Sequence, residues 1–307
     1  MGIFLVENDC QRLDKYLRLR FGSFPQSALE KALRKKLIKL NGKRADAATP
    51  VTKGESIFLN PGFLNIISSL DVLDEKKHGV DSRLIELIIS SIIYEDENIL
   101  AINKPFGISV QSGNKVSNSI DCIMKAINPE YRVVHRLDKH TTGVLLFAKT
   151  LEATREIWQL FANRLISKKY LGIVVGKVEE KEGEIDCFIK KTLYKGEEIM
   201  RCNNIGDGER AITRFRAVSC FDDLSLVELY PVTGRKHQIR AQMANIGYPI
   251  LNDGKYGRKH AFINGTPNKK MNLHAIESEF ELFGKSITIK ARLPGHFLDN
   301  TPKRESA

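Results

Sequence analysis

The segment VVHRLDKHTTGVLLFAK, residues 133–149, holds the densest run of side chains able to do chemistry. It passes from an apolar strand into a polar loop and back into an apolar strand that Gly143 opens. Asp138 lies in the loop beside Arg136, Lys139 and His140, and neighbouring cations favour an ionised carboxylate. If the strand continues through His135, alternation places His135 and Leu137 on one face and Arg136 and Asp138 on the other. Such a carboxylate is a candidate catalytic group; a loop acid in an ordinary salt bridge fits the same spacing.

A second cluster, LYPVTGRKHQIRAQMANIGYPILNDGKYG, brings Arg235, His237 and Arg240 to the start of a helix whose Ile239, Met243 and Ile246 form an apolar stripe. With no other His or Cys at ligand spacing, His237 reads as a satisfied imidazole, and no metal is expected. The interval from Gly247 to Gly254 is too long for a phosphate loop, and Tyr256 follows Lys255 where Ser or Thr is required. No nucleotide triphosphate is implied. Between the clusters stands Lys168-Lys169-Tyr170, where a helix gives way to a strand. A lone tyrosine such as Tyr170 is usually a core-edge residue, and in a basic protein one can instead stack on a base.

These groups need elements to hold them. Apolar segments separated by turn residues predict strands at 99–102, 132–134, 143–148, 170–175, 211–217, 225–229 and 286–291, with helices at 151–165 and 237–246. Strands with a few helices read as an α+β domain over 92–298, preceded by a connector at 61–91 and followed by a polar tail at 299–307. Lys104, in the turn Asn103-Lys104-Pro105-Phe106-Gly107, is expected on the pocket rim as an RNA contact, although a strand-end turn explains Pro105 and Gly107 equally well.

The chain has 307 residues, 42% of them hydrophobic, which suggests about two domains. A charged fraction of 28% and only 10 prolines exclude a disordered or collagenous chain. The most apolar stretch, 84–93, is too short to span a bilayer and is broken by Glu86, Ser90 and Ser91. The N-terminus lacks the basic start of a signal peptide, and 5 cysteines without a CxxC pair suggest reduced thiols, so a cytoplasmic protein is expected. The net charge of +11 calls for a polyanionic partner. Most of that excess lies in residues 10–60, where 12 Lys and Arg stand against 4 Asp and Glu.

Within that stretch Leu13, Tyr16, Leu17 and Phe21 recur at helical spacing. A second helix is predicted from Ser27 as N-cap with Glu30 completing a capping box, and Lys31, Arg34, Lys35 and Lys36 project from its wet face. LIKLNGKRA then reads as strand, Asn-Gly turn, strand, with a further strand near 55–59. A basic helix face is often merely solvated. The pattern of Arg12-Leu13-Asp14, the basic helix and Leu40-Asn41-Gly42-Lys43 nevertheless resembles an S4 RNA-binding domain over residues 11–60. That resemblance implies that the helix face, with Lys43 in the hairpin, holds structured RNA.

YEDENILAINKPFGISV, HRLDKHTTGVLLFAK, the KKY triplet, VTGRKHQIRAQMANIGYPILNDGKYG and Leu273-His274-Ala275, in this order, resemble the RluA family of pseudouridine synthases. The likeness spans residues 11–298, and its S4-like part leans toward the RluC-like, ribosomal branch. Thr142 stands where members commonly carry Ser, a change that keeps the hydroxyl. The resemblance implies an α+β enzyme, with a small S4 domain and a mixed, mainly antiparallel catalytic sheet, that isomerises uridine in large-subunit ribosomal RNA without a cofactor. It further implies a monomer acting during ribosome assembly, with no membrane partner. Carried over by residue, Asp138 would be the catalytic aspartate, Tyr170 the residue against the target base and Arg235 the aspartate's ion-pair partner. Arg136, two residues before Asp138 and on the same face, is the candidate wedge for the space of a flipped base, and a contact to a phosphate or a loop acid explains it equally well. Three other readings compete: an RNA-binding assembly factor with a catalytically silent scaffold, a transfer-RNA modifier with the same chemistry, and a DNA-binding protein, which has only the net charge in its favour.

Overall fold

Asp14 shows how the first elements are set. Arg12 grips its carboxylate with two hydrogen bonds, Nε to Oδ1 at 3.0 Å and Nη2 to Oδ2 at 2.8 Å, and that pairing lowers the pKa of the nearly buried acid. The helix α1 (Leu13–Phe21) follows, burying Leu13, Tyr16 and Leu17 at helical spacing.

The computed structural model describes residues 2–7, 9–10, 12–21, 26–63, 81–111, 118–194 and 196–301. They fall into two units, Met1–Gly79 and Val80–Ala307. In the first, β1 (Gly2–Leu5), β2 (Ile38–Leu40) and β3 (Ser56–Leu59) form an antiparallel sheet in the order β1-β3-β2. It shares one core with α1 and α2 (Gln26–Arg34). Ser27, expected as the cap, is the second residue of α2. The helix ends in a Schellman turn, Leu37 N–H to Ala32 carbonyl and Lys36 N–H to Leu33 carbonyl, with Lys36 at φ 58° where glycine is usual. Asn41 and Gly42 turn with positive φ. The strand expected after them is reduced to a single bridge at Lys43, because β2 has β3 as its partner instead.

The second unit is a mixed α+β fold built on an 11-stranded sheet. Its elements are α3 (Ser82–Ile89), β4 (Ile92–Glu95), β5 (Ile99–Lys104), α4 (Ile120–Ile127), β6 (Arg132–Val133), β7 (Thr142–Ala148), α5 (Leu151–Ala162), β8 (Ser167–Val175), β9 (Glu182–Tyr194), β10 (Glu197–Asn203), β11 (Glu209–Phe221), β12 (Leu224–Pro231), α6 (Gln238–Asn245), β13 (Leu273–Leu282), β14 (Lys285–Lys290) and α7 (Gly295–Asp299). The strand order is β10-β9-β11-β12-β8-β13-β7-β5-β4, with β14 on β13 and β6 on β7. Every pairing is antiparallel except that of β13 with β7. The helix α3 falls inside this unit rather than in the expected connector, because Ile88 is buried in a core shared with Ile120, Ile123 and Met124 of α4.

At the centre, β7 is buried along its whole length. Val144, Leu146 and Ala148 face Ala153, Ile157 and Leu160 of α5, while Leu145 and Phe147 face α4. Gly143 enters this strand at φ 108° with the Ala275 carbonyl so close that a Cβ would stand 2.1 Å from it. Only glycine lets β13 lie parallel to β7 there, directly after the polar loop that carries Asp138.

Candidate active site

The loop between β6 and β7 is held from several sides. The strand β6 ends at Val133, so His135 is not in a strand as the alternation supposed. His135 accepts a hydrogen bond from the Leu146 N–H at 3.0 Å, and burial pushes its pKa down to about 3, which keeps the ring neutral. Leu137 is buried in the core. The hydroxyl of Thr142 lies 2.7 Å from His274 Nδ1 on β13. Lys104, 1% exposed, donates to the carbonyls of Pro105 at 3.0 Å, Lys139 at 3.1 Å and Thr141 at 2.9 Å. Burial pushes its pKa down to about 7, against the pull of Asp138. With all three ammonium donors on backbone carbonyls, Lys104 is an internal clamp of the loop. It is not the rim contact to RNA that its turn suggested, since no donor is left for a phosphate.

This loop carries Asp138 into a cavity of about 670 Å³ that is also lined by Tyr170, Arg136, Lys168, His237 and Arg240. Arg240 donates from Nη1 to Asp138 Oδ2 at 3.0 Å, and its Nε and Nη2 grip Asp253 at 2.7 and 2.8 Å. The Asp253 fork fixes the guanidinium plane, so the remaining nitrogen aims at Asp138. Burial opposes the Arg240 charge, but the bonds and charges of Asp253 and Asp138 outweigh it and raise its pKa. The Arg240 guanidinium also lies 5.0 Å over the Tyr256 ring, and the Tyr256 hydroxyl is 2.6 Å from His237 Nδ1. The other nitrogen of His237 is 3.7 Å from Asp138 Oδ1. Burial pushes His237 down to about 4, so at neutral pH it approaches Asp138 as an uncharged ring. Tyr170, on β8, has its phenol pKa raised by burial and then by the charge of Asp138.

The expected ion-pair partner, Arg235, does not reach Asp138. It pairs with Glu209 at 2.8 Å and donates to the Arg210 carbonyl at 3.3 Å. The cause is the turn that opens α6. Gln238 accepts from the Arg235 N–H and the Thr233 hydroxyl, and donates to the Ile212 carbonyl. His237 takes a left-handed conformation at φ 53°. The chain thus reverses between Arg235 and Arg240, sending the first toward β11 and the second to the cavity floor. Arg240, which the motif reading set beside Arg235 without a role, and Asp253, which it passed over, are the residues that orient Asp138. An arginine inside a helix that also carries Ile239, Ala241 and Met243 in the core was the available signal.

Arg136 is exposed on the cavity lining and has no carboxylate partner among the described residues. In the first unit Lys31, Arg34, Lys35, Lys36 and Lys43 are all exposed. Among the described residues, no three His, Cys, Asp or Glu side chains are grouped to hold a metal ion, and no helix is long and apolar enough to cross a membrane.

This chain, a mainly antiparallel sheet with Asp138 held at a basic cavity, is similar to known proteins. The family model described as RNA pseudouridylate synthase matches residues 98–245, which contain Asp138, Tyr170 and Arg240. "Ribosomal large subunit pseudouridine synthase C" of Rickettsia bellii is 37% identical over 298 residues, covering 93% of this chain and 95% of that protein. The protein of the same name from Escherichia coli is 30% identical over 294 residues, covering 92% and 89%. Among solved structures, Human RNA Pseudouridylate Synthase Domain Containing 4 shares the fold with a TM-score of 0.58 at 24% identity, covering 71% of this chain and 94% of that one. The chain belongs to the RNA pseudouridylate synthase family, and it is an RNA pseudouridine synthase.

Proposed function

We propose that this enzyme isomerises uridines of large-subunit ribosomal RNA, with Asp138 as the group that acts on the substrate. The observation that carries this reading is Asp138, the only carboxylate lining the cavity among the described residues, oriented by a guanidinium that Asp253 locks in place. The reaction breaks the bond from N1 to ribose C1′ and joins C5 to C1′; the proton lost at C5 equals the one gained at N1, so no cofactor is consumed. A positioned carboxylate serves every route to that outcome, whether it attacks the sugar, attacks the base or removes a sugar proton. Tyr170 lines the same cavity and is suited to cover the uracil face. Arg136, exposed and without a carboxylate partner among the described residues, is suited to fill the space of a base that must leave its stack.

Large-subunit ribosomal RNA as the substrate is supported by the names of the relatives, which match nearly full length. The first unit, read as an S4-like domain of residues 11–60, would anchor structured RNA through Lys31, Arg34, Lys35, Lys36 and Lys43, all exposed. The larger domain, 92–298, would be the catalytic one. The reading includes a monomer. It also includes action in the cytoplasm during large-subunit assembly. Incubating the full chain with synthetic ribosomal and transfer RNA fragments and mapping pseudouridine tests it directly. Modification of large-subunit fragments is expected. Modification confined to transfer RNA would overturn the choice of substrate.

A further inference from the structure

The chain has a single tryptophan, and Trp158 is 51% exposed. It stands on α5 outside the stripe of Ala153, Thr154, Ile157 and Leu160 that the core buries. Its indole lines the mouth of the cavity that holds Asp138, together with Phe161 and Lys168. A large flat apolar surface left in water at a substrate cleft is a platform without its load.

Lys168 supplies the second observation. It is half-buried, its ammonium lies 6.0 Å from the centroid of the Phe161 ring, and among the described residues no carboxylate pairs with it. Burial lowers its pKa, so the free enzyme bears a cost for this cation that an anion would relieve. Lys168 also lines a neighbouring groove of about 340 Å³ with Phe161 and Arg164. Among the described residues Asp138 is the only acid lining the cavity, and none lines the groove. Arg235 lines both, but its guanidinium is engaged by Glu209. Aromatic faces interleaved with unneutralised cations, along a track whose only lining acid among the described residues is Asp138, match a single-stranded nucleic acid.

We propose that Trp158 and Lys168 form a subsite for a nucleotide adjoining the target uridine, the indole stacking on its base and the ammonium taking its phosphate, with Arg164 continuing the track. The proposal rests on the reading of this cavity as the uridine site. Stacking accepts any base, so the subsite contributes affinity and register but no sequence choice. It would hold the flanking strand while the neighbouring uridine turns at Asp138.

The single tryptophan makes its own test. Full-length protein is titrated with hexauridylate while indole emission is followed, and binding is measured in parallel by anisotropy of fluorescein-labelled hexauridylate. Emission should fall on saturation. Trp158→Ala should weaken binding about tenfold, and Trp158→Tyr, which keeps a stacking face, should recover most of that loss. In turnover on a longer RNA, Trp158→Ala should raise KM by a similar factor and leave kcat within about threefold of wild type. Lys168→Gln should reduce the salt slope by about 0.7, as expected when one phosphate of a single strand is no longer neutralised. Unchanged emission on saturation, unchanged affinity of Trp158→Ala, or no binding of hexauridylate would overturn the subsite. An unchanged salt slope would overturn its phosphate half. Quenching by a protein that makes no pseudouridine in any RNA would remove the functional reading and leave the subsite standing as an RNA contact.

Discussion

Two groups of basic residues in this protein are alike on paper and opposite in situation. Lys104, inside the loop that carries Asp138, and Arg240, in the cavity lining, are buried, and each is held by several hydrogen bonds to backbone carbonyls or carboxylates. On the first unit, Lys31, Arg34, Lys35 and Lys36 are all exposed. A buried, fully engaged cation cannot exchange partners with a phosphate, because releasing its own acceptors costs more than the new contact returns. An exposed one has only condensed counterions to displace. The first group therefore holds geometry, and the second is the one proposed to supply affinity for RNA, although both are spelled with Lys and Arg.

That division is tested most severely by Arg240→Ala, which leaves Asp253 buried without its partner. A loss of about 3–5 kcal/mol in urea melts is expected. Single-turnover pseudouridine formation, measured where the variant is still folded, should fall about a hundredfold or more. Arg240→Lys, which keeps the charge without the fork, should recover stability more than rate. On the other side of the comparison, removing residues 1–79 should weaken binding of structured ribosomal RNA. The salt dependence should become shallower by roughly 0.7–0.9 for each phosphate that the shortened chain no longer neutralises. The single-turnover rate on a short saturating RNA should approach that of the full chain. Equal affinity and equal slope would return the basic helix to a merely solvated face.

Lys104 gives a subtler effect with a definite sign. Its pKa is about 7 in the folded protein against 10.5 for an ordinary lysine. Between those values the unfolded chain holds a proton that the folded chain has released, so this group's contribution to stability rises with pH across the window. The stability of wild type relative to Lys104→Met should therefore shift in favour of wild type from about pH 7 to pH 9 in paired melts. A difference that stays flat would place the lysine elsewhere. The smallest effect is assigned to Arg235→Ala. Its pair with Glu209 is largely open to solvent, so less than about 1 kcal/mol of stability and less than threefold in rate are expected to change. A hundredfold loss of rate would restore Arg235 to the role its motif suggested.

Sequence and structure part company at identifiable places. The position of Asp138 was legible because an apolar run, a polar loop and Gly143 mark a strand end whatever the tertiary context. The choice between Arg235 and Arg240 was not, since both belong to one motif. What separates them is a left-handed residue at His237 and the hydrogen bonds of Gln238, which pattern does not encode. Lys104 misled for a related reason. A lysine in a turn reads as solvated, and the three carbonyls that enclose it come partly from residues 35 and 37 positions away. The strands β9 and β10 passed unread because charged residues crowd DCFIKKTLYKGEEIMRC, although Ile185, Cys187 and Ile189 alternate inward as a strand requires. In the first unit the Asn-Gly turn formed as its residues demanded, while the strand after it gave way to a better-matched partner at β3.

The account depends most on Asp138 being the group that acts on the substrate. Asp138→Asn keeps the shape of the side chain and removes its charge. Single-turnover formation of pseudouridine in a large-subunit ribosomal RNA fragment, with affinity for the same RNA measured alongside, isolates that charge. The expected result is a loss of at least about a thousandfold in rate with affinity within threefold of wild type. A rate within tenfold of wild type would contradict the assignment, whatever the RNA.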